Sequence, residues 1–129
     1  MGATVRTLAP DLPVIEARFF GANTREEMEQ AFAQCLTLGL ESDTWLLLAD
    51  CSDLIHTAAI ADLKDLVQAL ADLGVADRFR EALVRPTDVT AAVAVGFWEA
   101  AGVNRGLDVR MFRERGDALA WLVAPAAAP

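Results

Sequence analysis

Trp45-Leu46-Leu47-Leu48-Ala49 is an apolar run with no polar alternation. A strand wetted on one face alternates with a period of two, so an unbroken run is what a strand covered on both faces requires. This segment is therefore expected at the centre of a wrapped sheet. On its N-terminal side, Thr24-Arg25-Glu26-Glu27 has the spacing of a capping box. Met28, Ala31, Phe32, Cys35 and Leu36 follow at helical spacing. Further upstream, Val14 to Phe20 is expected as a strand with Glu16 and Arg18 on its wetter face, and Thr4 to Leu8 can pair with it through the Ala9-Pro10-Asp11 turn.

On the C-terminal side, Ile60, Leu63, Leu66, Val67, Leu70 and Leu73 mark a second amphipathic helix, and Ala82-Leu83-Val84 a short buried strand. Thr87 or Asp88 caps a third helix reaching Ala101. Leu107 to Phe112 alternates as a strand, and Asp117 to Leu122 forms a closing helix. Alternating strands and helices with short connections imply an α/β fold: a single domain over residues 1–123, with a mostly parallel or mixed sheet of four to five strands and helices on both faces. The low-complexity remainder, 124–129, is expected to be a flexible tail. The three long helices each run into a glycine followed by an apolar residue, at Gly39-Leu40, Gly74-Val75 and Gly102-Val103. Left-handed glycine caps there would fold Leu40 onto Cys35, Val75 onto Leu70 and Val103 onto Trp98.

The 129 residues fit one domain, and 54% apolar against 23% charged residues describes a folded, soluble chain. The longest near-continuous apolar stretch, Ala91 to Trp98, is too short for a membrane span. The N-terminus lacks the apolar region of a secretory signal, so a cytoplasmic location is expected. The net charge of −8 is uneven: residues 1–77 carry 4 basic and 13 acidic side chains, and residues 78–129 carry 7 arginines and 6 acids. An acidic chain repels phosphate backbones, and nucleic-acid binding is not expected.

Ligands of wrapped sheets sit beyond the carboxyl ends of the strands. The segment after the central run, Asp50-Cys51-Ser52-Asp53-Leu54-Ile55-His56-Thr57, read as a loop, gathers two carboxylates, a thiol, two hydroxyls and the sole histidine. Asp50, Ser52, Asp53, His56 and Thr57 are the candidate ligand- or partner-binding residues. Ser52 and Thr57 also read as turn and helix-capping hydroxyls. A Cys51–His56 dyad would suit a small thiol-dependent hydrolase, although Asp50 and Asp53 would oppose a thiolate. Cys35 and Cys51 match no zinc or CxxC spacing, and no metal or cofactor is expected. Glycine-rich nucleotide loops and a Gly-x-Ser-x-Gly elbow are absent from the sequence. The third helix is apolar nearly all round. Either both its sides are buried in the monomer, or its face bearing Val95 and Trp98 is covered by a homodimer partner or a hydrophobic ligand.

Glu81-Ala82-Leu83-Val84-Arg85-Pro86, Phe97-Trp98-Glu99, Asn104-Arg105-Gly106, Val109-Arg110-Met111-Phe112 and Ala118-Leu119-Ala120-Trp121-Leu122 together resemble the SpoIIAA-like branch of the STAS superfamily. The strand–loop–helix at 45–73 matches the core of that superfamily. The resemblance implies a non-enzymatic binding or regulatory module that recognises a protein partner or a small apolar ligand. In anti-sigma antagonists of the superfamily an Asp-Ser-Ser-Gly signature carries the phosphorylated serine. His56-Thr57-Ala58-Ala59 stands near it, with His for Asp and Ala for Gly, so Thr57 is the possible phosphoacceptor. The resemblance of some such sheets to the Sec14-type fold implies an alternative, a lipid or hydrophobic-ligand carrier with a sizeable apolar cavity.

Overall fold

In the computed structural model, which describes residues 2–125, five strands form one sheet in the order β1-β2-β3-β4-β5. The strands are β1 (Gly2–Thr7), β2 (Ile15–Ala22), β3 (Leu46–His56), β4 (Arg80–Val84) and β5 (Asp108–Phe112). β1 pairs antiparallel with β2, and every later pairing is parallel. The helices are α1 (Arg25–Ser42), α2 (Ile60–Ala71), α3 (Val89–Asn104) and α4 (Arg115–Val123). The sheet is thus mixed, and the expected central run lies on its middle strand. Residues 126–129 of the expected tail lie outside the described residues.

The alternation of side chains along each strand sorts them into two cores. Ala49, Cys51, Leu54 and Leu83 join α2 and α3 in the larger core, with Phe19, Phe32 and Trp45 packed against it. Val14, Leu48, Ala82 and Val84 pack with Ala118 and Leu122 of α4 on the opposite face. Glu16, expected on the wetter face of β2, is instead buried. It bridges β1 and α4 through Arg6 Nε at 2.7 Å and Arg115 Nη2 at 2.8 Å. Burial alone would raise the Glu16 pKa, but hydrogen bonds and charge from Arg115 and Arg6 hold it below its ordinary value. No helix among the described residues is long and apolar enough to cross a membrane.

The capping box is present, with Glu27 N–H donating to Thr24 Oγ1 at 3.2 Å and Thr24 N–H donating to Glu27 Oε1 at 3.0 Å. Of the three expected cap glycines only Gly74 is left-handed, and α2 itself is capped two residues earlier, at Asp72. Gly74 has φ +75°, and Val75 shares a core with Leu70. Gly39 and Gly102 instead lie inside helices that continue to Ser42 and Asn104, leaving Leu40 and Val103 exposed. α1 is capped by Asp43 in the left-handed region, at φ 50°. Gly39 and Gly102 are needed for proximity: a Cβ on Gly39 would lie 3.1 Å from the Trp45 ring, and one on Gly102 would lie 2.8 Å from Val109 Cγ2.

Two alanine substitutions in α3 separate these roles. Gly102→Ala must displace a buried, β-branched neighbour and should lower stability by about 1–3 kcal/mol. Gly96→Ala, where an added Cβ meets nothing within 4 Å, should raise it by about 0.5–1 kcal/mol. Urea denaturation of the two variants reads the difference. Equal effects would contradict close packing at Gly102.

Candidate functional site

The segment expected as a loop is largely strand, because β3 runs on to His56. β4 pairs with β3 only as far as Asp50, whereas β2 accompanies it to His56, with register shifts on the way. The far half of β3 therefore projects past β4, where polar side chains find water. The structure does not gather the expected residues into one site. Asp50 Oδ1 accepts from Ser52 N at 3.1 Å and Ser52 Oγ at 2.7 Å. Asp53 pairs with Arg18 at 2.5 Å on the surface. His56 is exposed, and its backbone carbonyl accepts from Asn23 N at 2.9 Å.

Thr57 does not cap α2: its hydroxyl donates to Ala58 O at 2.8 Å, and the cap residue Ala59 offers no side-chain bond. The Cys51–His56 dyad is also corrected by the geometry. Five residues of strand separate the two by about 16 Å, and Cys51 points into the core while His56 faces solvent. Burial, with the nearby Glu81 and Asp50 carboxyls, pushes the Cys51 thiol strongly upward, opposite to what a nucleophile needs. Among the described residues, no cluster of three His, Cys, Asp or Glu side chains is placed to hold a metal ion.

The faces of α3 are likewise the reverse of an interface at Val95 and Trp98. Val95 is 5% exposed, and the Trp98 indole N–H donates to Glu81 Oε1 at 2.7 Å inside the protein. The open face carries Val89 and Val93, 79% and 69% exposed. Trp98 and Val95 instead form one wall of an apolar cavity of about 110 Å³. Phe32 and Leu36 of α1 line it with Leu66 and Leu70 of α2, and Ala17, Leu47 and Glu81 form part of its floor. Cys51 and Thr57 are the two residues of the 50–57 segment whose polar side chains reach its lining.

The cavity lies beneath helices that are anchored to different neighbours. α1 leans on β1 and β2, whereas α2 packs against α3. Across the gap, Arg25 at the start of α1 pairs with Asp62 at 2.7 Å and Asp65 at 3.3 Å on α2, while also holding Glu29 at 2.5 Å. These contacts are exposed and screened by solvent, a weak clasp rather than a seal.

Glu81 and Arg25 were not recognised from sequence as parts of a site. A lone acid heading an otherwise apolar strand was the available signal for Glu81. Arg25 carried none, because its partners lie 37 and 40 residues away. Burial pushes the Glu81 carboxyl up from near 4.5 to about 7, against the lowering effect of the Trp98 hydrogen bond. The folded state therefore binds this proton more tightly than the unfolded chain. The stability from Glu81 is complete below pH 4.5 and is lost as pH rises through 7. Glu81→Gln should flatten the decline in unfolding free energy between about pH 4.5 and 7. An unchanged slope, measured by denaturant titration across that range, would contradict the burial of the acid.

Neither family models nor curated proteins match this sequence. A structural match is the crystal structure of an uncharacterised protein of the DUF3478 family, with a SpoIIAA-like fold, from Shewanella loihica PV-4. The two share 19% identity, with a TM-score of 0.59 over 94% of this chain and 92% of the other. The mixed five-stranded sheet with helices on both faces is thus a SpoIIAA-like, STAS-like fold.

Proposed function

We propose that this protein is a non-enzymatic binding module that holds a small apolar ligand between its three-helix layer and its sheet. The observation that carries the reading is the cavity under α1, α2 and α3, almost wholly apolar and placed where α1 and α2 separate. An apolar void of about 150 Å³ stays dry and takes up benzene. The volume of about 110 Å³ here suits a molecule of similar or slightly smaller size. A lipid-sized cargo is disfavoured, because sites for drug-sized ligands measure about 300–1,000 Å³.

A protein partner is the second reading, favoured by the exposed Val89 and Val93 on the outer face of α3. Phosphorylation of Thr57 receives less support, because its hydroxyl is half-buried and engaged with Ala58 O. A reading based on thiol catalysis lacks an imidazole beside Cys51.

Benzene titrated into the protein should raise the melting temperature and shift the methyl resonances of Leu66 and Leu70. Ala94 on α3 lines the same void and is half-buried. Ala94→Leu should fill it and abolish both effects while leaving the fold intact. Binding that survives in the filled variant, or no response in the wild type, would refute the cavity as the binding site.

A further inference from the structure

Glu81 stands out in the cavity wall. It is 3% exposed, and the strand residues that follow it, Ala82, Leu83 and Val84, are apolar. Buried carboxyls are normally paired with a cation or kept neutral. Among the described residues no cation pairs with Glu81, and its hydrogen-bond partner is the indole of Trp98, at Oε1. The second oxygen, Oε2, is not a sealed orphan: among the described residues, Oδ1 of Asn23 alone is both fully enclosed and unpartnered. Oε2 thus keeps slight exposure, and the void that Glu81 lines is the opening available to it.

We propose that Glu81 is the polar seat of this cavity, which takes a small apolar molecule ending in one hydrogen-bond donor, an alcohol or a protonated amine. The donor rests on Oε2, and the apolar body lies among Phe32, Leu70 and Phe79. Trp98 fixes the carboxyl by its other oxygen, so the seat is oriented before a ligand arrives. The titratable groups facing Glu81 are Cys35 on α1 and Cys51 on β3. Burial pushes both thiols up, Cys35 to about 12, so both stay neutral and leave Glu81 as the local charge. A carboxylate-ended molecule would place a second acid beside the first and is excluded.

The proposal rests on the cavity being a ligand site, and one set of probes separates the two claims. Cyclopentane, cyclopentanol, cyclopentylamine and cyclopentanecarboxylate are titrated at pH 8, following the indole N–H resonance of Trp98 and the methyl resonances of Leu66 and Leu70. The amine and the alcohol should bind more tightly than cyclopentane, the amine by about tenfold or more, and the carboxylate should not bind. In Glu81→Gln, which retains an oxygen for Trp98, the preference for the amine should vanish while cyclopentane still binds. Equal affinity for all four probes would overturn the seat and leave the cavity reading standing. If none of the four perturbs the methyls, both claims fall.

Discussion

Burial of the central strands on both faces is the constraint from which the rest of the structure follows. Every side chain of β4 must enter one of two closed layers, so Leu83 and Glu81 join the three-helix side while Ala82 and Val84 meet α4. A polar residue in such a strand cannot turn to water and must find a partner inside. Arg80 and Glu81 solve this in opposite ways. Arg80 donates to the backbone carbonyls of Trp121, Leu122 and Ala124, complementing the negative end of α4, and its guanidinium lies 5.0 Å from the Trp121 ring. Glu81 receives one indole N–H and lines a void.

That void has an energetic cost. The apolar side chains around its volume of about 110 Å³ lack the neighbours that a fully packed core would supply. Moving α1 and α2 together would close the void, but each is anchored elsewhere: α1 by its packing on β1 and β2, α2 by α3. The Arg25 bridges to Asp62 and Asp65 draw the helix starts together without packing their apolar faces. A ligand that fills the space recovers the lost contacts, and breaking the exposed bridges to admit it costs little.

Signals set by short-range chemistry were legible in the sequence. The unbroken apolar run at 45–49 marked the middle strand, and the Thr24–Glu27 pattern marked the start of α1, because each depends on residues within a few positions. What depends on distant neighbours was not legible. Gly39 and Gly102 looked like caps, yet they are glycines because Trp45 and Val109 press against them. The polar letters of 50–53 looked like a loop, yet they form strand because β3 outruns β4 there and stays paired with β2. The two faces of α3 are almost equally apolar, so periodicity could not say which one turns inward; tertiary packing placed Val95 and Trp98 inside. The fold was thus readable from local pattern, while the candidate site, assembled from three helices and three strands, was not.

Xenon binding under pressure tests the central claim most directly, because the gas reports an accessible apolar void without relying on any polar contact. One xenon site is expected between α1, α2 and the sheet, close to Phe32, Leu70 and Trp98. Crystals in which that region remains closed and free of xenon, with Trp98 and Leu70 packed against each other, would contradict it.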